Sequence, residues 1–280
     1  MNYKKLFGAF LMVFAAFLVG SSFKFPNDPH SEEIKVMIST DFGVIKIKLY
    51  NETPLHRDNF VKLVKEHYFD SLMFHRVIQN FMIQGGDPDS KNAAPSVELG
   101  NGGPGYTVPA EFNSKLFHKK GVIAAARDGD LENPTQASSG SQFYLVQGRV
   151  YNDSMLKIQA KRITRMKLFN TVVNRVENKI LIKNFKTFVE SKQNDSIKYI
   201  TDLINKQVDK ELPAATMYTF TADQIKAYTT VGGTPHLDDS YTVFGEVVEG
   251  LEVIDAIAKQ KVDKNNRPFT DIRMKVSIIP

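Results

Sequence analysis

The feature that most constrains the fold is a run of 64 residues, from Arg149 to Leu212, that contains no glycine and no proline. On either side of this run, short apolar segments alternate with loops rich in glycine, proline, asparagine and serine. Glycine and proline interrupt helices and mark turns, so their absence predicts helices, whereas the flanking pattern is typical of strands joined by loops. We therefore interpret the chain as a mainly β domain, residues 33–148 plus 233–280, interrupted by a mostly helical insertion at residues 149–232.

Two helices are the simplest account of the run from Arg149 to Leu212, because apolar residues recur every three or four positions up to residue 190 and again from residue 197. A first helix that ran unbroken over residues 154–190 would be about 55 Å long. Asp195 is the expected cap of the second helix, and Pro213 its expected end. The run holds 14 basic and 7 acidic residues, a net charge of +7. A solvated helical face and a surface for acidic clients, anionic lipid or a partner are both compatible with this charge.

The N-terminal residues 1–22 have the order of a secretory signal peptide. Lys4 and Lys5 precede an apolar run from Leu6 to Gly20, and small residues follow it. We expect an exported, periplasmic protein that contacts the membrane only through this segment, as an inner-membrane anchor, if the segment is not cleaved. The chain has no cysteine, which excludes a thiol nucleophile and a cysteine-ligated zinc site.

The β domain shows four recognisable elements at its two ends. Residues 34–38 and 44–49 alternate in character around a turn, which predicts a hairpin. Residues 53–65 and 251–258 have apolar residues near helical spacing, the first with a threonine cap followed by proline. Residues 274–279 are the expected closing strand.

Several catalytic motifs are incomplete in this sequence. Residues 100–105 match a dinucleotide fingerprint in letters, but the residues that follow do not begin an amphipathic helix. Asp87, Asp89 and Glu98 have the spacing of a calcium loop, yet Lys91 occupies a ligand position. The six histidines lack metal-ligand spacing, and a Gly-x-Ser-x-Gly elbow is missing. We expect no metal, no cofactor and, at a net charge of +5, no nucleic-acid partner.

One cation stands among apolar side chains in the block from Phe74 to Asp87. Because side chains alternate along strands, Arg76 can share a surface with Met82 and Gln84 at the edge of an apolar recess. Taken alone, Arg76 is equally compatible with a surface ion pair.

This block, followed by Gly100–Phe112, Gly140–Leu145 and Leu237–Gly245, resembles the cyclophilin family of peptidyl-prolyl cis-trans isomerases, in its bacterial exported branch. The resemblance covers residues 34–148 and 233–280. It implies an eight-stranded antiparallel closed barrel capped by two helices, here residues 53–65 and 251–258. It also implies isomerase activity on proline-containing polypeptides, namely unfolded or partly folded exported proteins.

The resemblance further implies the roles of individual residues. Arg76 is the expected catalytic residue. The expected substrate-binding residues are Phe81, Met82, Gln84, Ala126, Arg127, Gln142, Tyr144, His236, Leu237 and Tyr241.

Four of these positions depart from common family members. Tyr144 stands where many have phenylalanine, and its added hydroxyl needs water or a partner. Arg127 replaces a usual asparagine, His236 a tryptophan common in cyclosporin-binding members, and Tyr241 a histidine. A non-catalytic module that binds proline peptides is the competing interpretation. A chaperone role for the helical insertion is a further hypothesis.

Overall fold

The computed structural model describes residues 33–95 and 97–280. The predicted signal peptide lies outside the described residues. In the part of the chain that is described, no helix is both long and apolar enough to cross a bilayer.

Eight strands form one antiparallel sheet, in the order β10-β1-β2-β9-β6-β8-β4-β3, and two further strands pair separately as β5-β7. The hairpin predicted near the start of the chain is β1 and β2, paired from Lys35–Lys48 to Thr40–Gly43. The strands are β1 Lys35–Thr40, β2 Gly43–Leu49, β3 Arg76–Ile78, β4 Met82–Gly85, β5 Thr107–Val108, β6 Val122–Ala125, β7 Ser138–Ser139, β8 Phe143–Val146, β9 Val243–Glu249 and β10 Lys275–Ile279.

The sheet is curled but is not closed by strand pairing, so the prediction of a closed barrel is wrong in this respect. Its edge strands β3 and β10 do not pair with each other. Instead, the segments that precede them are joined by backbone hydrogen bonds, among them Phe74 N–H to the Ile272 carbonyl at 2.9 Å. The chain before β3 forms turns, with His67 and Ser71 in the left-handed region, and turns cannot continue a regular ladder.

Alternation along the central strands divides the apolar side chains between two faces. In β8, Phe143 and Leu145 join the main core, while Tyr144 and Val146 belong to a separate cluster with Leu237 on the opposite face. Successive side chains of a strand point to opposite faces. The four buried residues of this strand therefore serve two apolar surfaces, and the second one carries the candidate site.

The two predicted capping helices are present and pack on the main core. They are α1, Pro54–Lys65, and α6, Leu251–Ala258. Phe60 of α1 and Ile257 of α6 are both buried in the core cluster. Thr53 is at the predicted cap position, but its side chain makes no capping hydrogen bond. The Glu111 carboxylate accepts the N–H groups of Leu55 and His56 instead.

The run from Arg149 to Leu212 contains three helices rather than two, and a fourth helix follows it within the insertion. They are α2 Asp153–Val173, α3 Lys179–Glu190, α4 Asn194–Glu211 and α5 Ala222–Thr230. The unbroken first helix was wrong: a short 3₁₀ turn, Val176–Asn178, separates α2 from α3. Asp195 lies in the first turn of α4 and does not cap it, because α4 begins at Asn194 after Gln193.

The break between α2 and α3 has a specific cause in a buried amide. Asn178 is 2% exposed, and its Nδ2 donates to the Val172 carbonyl at 2.8 Å and to Gln207 Oε1 at 3.0 Å. Gln207 Nε2 donates back to Asn178 Oδ1 at 3.0 Å. This reciprocal pair holds the turn against α4, so α2, α3 and α4 pack on each other around a shared apolar cluster instead of extending as one arm.

Both ends of the insertion meet at one point of the β domain. Arg149 and Gly233 exchange backbone hydrogen bonds at 3.2 and 3.0 Å. A side chain at Gly148 would lie within 2.4 Å of the Gly233 backbone, so this approach requires glycine. The helices also pack on a loop of the β domain: Leu131 joins the helical core, and Asn170 Nδ2 donates to the Pro134 carbonyl at 3.0 Å.

Candidate active site

A row of side chains crosses four neighbouring strands on the face opposite the main core. Arg76 of β3 is paired with Gln84 of β4. Gln84 is in turn opposite Tyr144 of β8, which is opposite Ala124 of β6. Residues directly opposite each other in antiparallel strands point to the same face, with Cβ atoms about 5 Å apart. The sheet register therefore brings the guanidinium and the tyrosine ring to one surface.

A cavity of about 100 Å³ opens on this surface. Its walls come from β3, β4, β8, the loop after β6 and the loop before β9. The space is several times what one water needs, which suits a small ring. Nine of the eleven predicted site residues line it: Arg76, Phe81, Met82, Gln84, Ala126, Arg127, Tyr144, Leu237 and Tyr241.

The other two predicted residues are close to this cavity without lining it. Gln142 lines an adjoining groove of about 520 Å³ that shares Gln84, Ala126 and Arg127 with the cavity. His236 stacks on the ring of Phe81, with centroids 5.4 Å apart and planes at 27°.

Sequence reasoning missed most of the adjoining groove. Glycine-rich backbone from Gly100 to Gly105 forms one side of it, and Tyr106 and Asp128 contribute side chains. The run that resembles a dinucleotide fingerprint thus lines a groove and leads into β5 rather than a helix. Asp87, from the discarded calcium-loop pattern, is fully buried and accepts the N–H groups of Asp89 and Gly100, so its carboxylate stabilises this loop.

Arg76 forms no ion pair with any described residue. Its Nη1 donates to Gln84 Oε1 at 3.1 Å, and its guanidinium carbon lies 5.9 Å from the centroid of the Phe81 ring. Burial lowers the pKa of Arg76, but a guanidinium remains charged in proteins. A half-buried cation without a counter-ion is costly, and here it retains donors for a molecule in the cavity.

Gln142 fixes the orientation of Gln84, the side chain that accepts a hydrogen bond from Arg76. Gln142 Nε2 donates to the carbonyls of Gly100 and Gly102, both at 2.8 Å. Its Oε1 therefore faces Gln84 Nε2 and accepts from it at 3.0 Å. Gln84 must then present its own Oε1 to Arg76. The orientation of the guanidinium is set by this chain of hydrogen bonds rather than by a charge.

Arg127 is held tightly at the border of the cavity. Its Nε donates to the Ser240 carbonyl and its Nη1 to Asp130, each at 2.7 Å. The guanidinium carbon also lies 4.5 Å from the centroid of the Tyr241 ring, a cation–π distance. Arg127 thus joins two loops that border the site and fixes the tyrosine ring.

The hydroxyl of Tyr144 has the partner that the sequence required. It lies 2.9 Å from His118 Nε2. Burial raises the pKa of Tyr144 well above its usual value, so the phenol stays neutral. His118 was not predicted as part of the site, although a hydroxyl in an apolar wall signals that some buried partner must exist.

Among residues 33–95 and 97–280, no three histidine, aspartate or glutamate side chains are grouped so that they could hold a metal ion. In the described chain, the site combines the Arg76 guanidinium, two hydrogen-bonded glutamines and apolar walls.

Comparison with known proteins gives one consistent result. The sequence profile of the cyclophilin type peptidyl-prolyl cis-trans isomerase family matches residues 35–202 and 161–277. A Staphylococcus haemolyticus protein, provisionally named a peptidyl-prolyl cis-trans isomerase, is 30% identical over 244 residues, which cover 86% of this chain and 88% of that protein. A Staphylococcus saprophyticus protein with the same provisional name is 28% identical over 247 residues, covering 87% and 90%.

Among solved structures, a Cryptosporidium parvum cyclophilin type isomerase matches with a TM-score of 0.50 at 18% identity, over 89% of this chain and 99% of that one. This match supports the fold. The chain belongs to the cyclophilin-type peptidyl-prolyl cis-trans isomerase family. The aligned stretches with the staphylococcal proteins are longer than the β domain, so they extend into the helical insertion.

Proposed function

We propose that this protein accelerates rotation about X-Pro bonds in exported polypeptides, with Arg76 as the catalytic residue. The observation that carries the proposal is a guanidinium, that of Arg76, which has no ion-pair partner among the described residues and lies at the edge of a small apolar cavity. Rotation about an X-Pro bond needs neither a base nor a nucleophile, since no covalent bond is made or broken.

The reaction itself explains the choice of a fixed donor. Amide resonance gives X-Pro rotation a barrier of roughly 20 kcal/mol, and the uncatalysed reaction takes tens of seconds or more. In the twisted state the prolyl nitrogen regains its lone pair and becomes a better acceptor, whereas the planar forms offer little there. A donor placed for the twisted state binds it more tightly than either isomer, which lowers the barrier. Arg76, oriented by Gln84, is such a donor.

The apolar walls support this role in two ways. Met82, Leu237 and Tyr144 are buried side chains of one cluster, with Phe81 packed against it. They would enclose the pyrrolidine ring and exclude water that competes for the guanidinium. Because the Tyr144 hydroxyl is bonded to His118, it does not require a water inside the cavity.

A protease-coupled assay on a short proline peptide tests the proposal. We expect wild-type activity and a loss of about 10²–10³ in kcat/KM for Arg76→Ala, the range found when one transition-state donor is removed. Arg175→Ala is the matched control, because that guanidinium is paired with Glu211 in the insertion and does not line the cavity. A wild-type protein that binds the peptide without accelerating rotation would establish the binding-module alternative instead.

We also propose export as the location, on the basis of residues 1–22 alone. Cell fractionation, followed by mass spectrometry of the chain in each fraction, tests this. A cleaved chain in the periplasmic fraction is expected, and an intact chain in the cytoplasm would contradict the proposal.

A second candidate function, chaperone-like binding, is favoured by one groove in the insertion. Leu156 and Ala160 of α2 face Met217 and Phe220 across a space of about 510 Å³. Met217 is 48% exposed. Lys157, Lys161 and Asp153 line the same groove, a net charge of +1, and neither lysine forms an ion pair with a described residue. The occupant that fits is an apolar stretch of an unfolded polypeptide flanked by acidic side chains.

Binding of a permanently unfolded, carboxymethylated protein tests this second function. We expect Lys157→Glu with Lys161→Glu to weaken binding about tenfold at low salt, since each exposed charge contributes up to about 1 kcal/mol. The control pair Lys183→Glu and Lys186→Glu makes the same charge change on α3. Equal effects of the two pairs would show only non-specific attraction to the basic insertion.

A further inference from the structure

A buried chain of hydrogen bonds joins the wall of the cavity to the helical insertion. Tyr144 Oη lies 2.9 Å from His118 Nε2, and His118 Nδ1 lies 3.0 Å from Asp238 Oδ1. The second carboxylate oxygen of Asp238 accepts from the Tyr228 hydroxyl at 2.6 Å. All four side chains are at most 4% exposed. The last of them, Tyr228, belongs to α5 of the insertion.

The directions of the bonds in this chain follow from the carboxylate and from a neutral His118 ring. A carboxylate only accepts, so His118 donates from Nδ1, and in the neutral imidazole Nε2 then accepts from the Tyr144 hydroxyl. The His118 backbone N–H also donates to Asp238 Oδ1, at 2.9 Å. A carboxylate that is 1% exposed is tolerated only when such donors surround it.

The insertion supplies two of the four donors. Besides Tyr228, Gln224 Nε2 lies 3.3 Å from Asp238 Oδ2. The orientation of this amide is fixed, because Gln224 Oε1 accepts from the Thr221 backbone N–H in a capping box at the start of α5. Helix α5 is therefore placed so that both donors reach the same oxygen.

Two residues that line the cavity depend on this arrangement. Leu237 directly precedes Asp238, and Tyr144 is bonded to His118. We propose that Tyr228, from the inserted helix α5, is a positioning residue for the proline site, acting through Asp238 on Leu237 and through His118 on Tyr144. The insertion therefore helps to position residues of the proline site. The kinetic consequence rests on the proposed isomerase function.

Tyr228→Phe tests the inference because it removes one hydroxyl and retains the ring. That ring packs against Phe117, Tyr151 and Phe220. We expect kcat/KM for a short proline peptide to fall about fivefold, within the range that substitutions along coupled networks produce. Tyr151→Phe is the matched control: it lies in the same aromatic cluster, and its hydroxyl makes no hydrogen bond with a described residue. We expect the control to stay within twofold of wild type.

A double-mutant cycle distinguishes positioning from general weakening. In a Tyr144→Phe background the route through His118 is already cut and only the route through Leu237 remains, so adding Tyr228→Phe should lower kcat/KM by a smaller factor than it does in wild type. An equal loss in both backgrounds, or a wild-type kcat/KM for Tyr228→Phe alone, would overturn the inference.

An NMR measurement separates this inference from the proposed function. The His118 Nδ1 proton and the Tyr144 ring signals should both shift in Tyr228→Phe and stay unchanged in Tyr151→Phe, whether or not the protein is active. An inactive wild type would refute the proposed function, whereas unshifted signals would refute the chain of coupling alone.

Discussion

Acidification should destabilise this protein partly through His236, whose ring is stacked on Phe81 at the edge of the site. Burial, reinforced by the positive charges of Arg162 and Arg149, lowers the pKa of His236 from 6.5 to about 3. The unfolded chain therefore binds a proton more readily than the folded chain at any pH between these values. The free energy of unfolding must fall as the pH falls through this window.

The magnitude follows from the size of the window. At pH 4.5 the pH is about two units below the pKa of an unfolded histidine, which is therefore protonated, while the folded His236 remains neutral. At 1.36 kcal/mol per unit, this costs about 2.5 kcal/mol relative to pH 7.

His236→Phe isolates this contribution because it keeps a ring against Phe81 and removes the titrating group. It also removes a buried Nδ1 without a hydrogen-bond partner in the described chain, which should not lower stability at pH 7. Urea unfolding at pH 7 and pH 4.5 measures the difference for both proteins. We expect the variant to lose about 2.5 kcal/mol less than wild type on acidification. Identical losses would refute the reasoning.

Three further predictions concern activity and the insertion. Arg76→Lys should lower kcat/KM at least about tenfold in the protease-coupled assay, because an ammonium lacks the planar fork that Gln84 orients; wild-type turnover would remove Arg76 from the site. The pH profile of kcat/KM should be flat between about pH 6 and 8, since Arg76 stays charged and catalysis uses no titrating base; a sharp bell shape would oppose this mechanism. Replacing residues 152–230 by a short linker should lower the free energy of unfolding by about 1–3 kcal/mol, because Asp238 would lose the neutral donors Tyr228 and Gln224; an unchanged urea midpoint would contradict this.

Local patterns predicted the parts of the fold that are set by local physics. Alternation identified the first hairpin, and threonine followed by proline located the start of α1. The closed barrel was not confirmed, because pairing at the sheet edges depends on turns near Ser71 that alternation does not reveal.

Helical spacing failed at the point where a distant partner decides the structure. The apolar period continues through Val176 and Ile180, yet these residues are 76% and 73% exposed. The chain turns there because Asn178 pairs with Gln207, which lies 29 residues further on. In α4 the same reasoning succeeded, since Ile200, Ile204 and Val208 are buried.

Family motifs identified the residues that line the site. They did not identify the buried residues that hold those side chains in place. Nine of the predicted residues line one cavity, although their roles remain a prediction. The network behind Tyr144 joins residues 26, 120 and 10 positions apart in sequence. Spacing within one sequence carries no signal for such contacts, and only the three-dimensional fold brings them together.

The most direct test of catalysis by Arg76 is NMR exchange spectroscopy on one proline peptide, with wild type and Arg76→Ala. It gives the dissociation constant and the cis–trans rate of the bound peptide in the same sample. A donor that acts only on the twisted state should, when removed, lower the bound rate by about 10²–10³ and change the dissociation constant less than about threefold. An unchanged cis–trans rate of the bound peptide would contradict the mechanism. So would a dissociation constant that rises by the same factor by which kcat/KM falls.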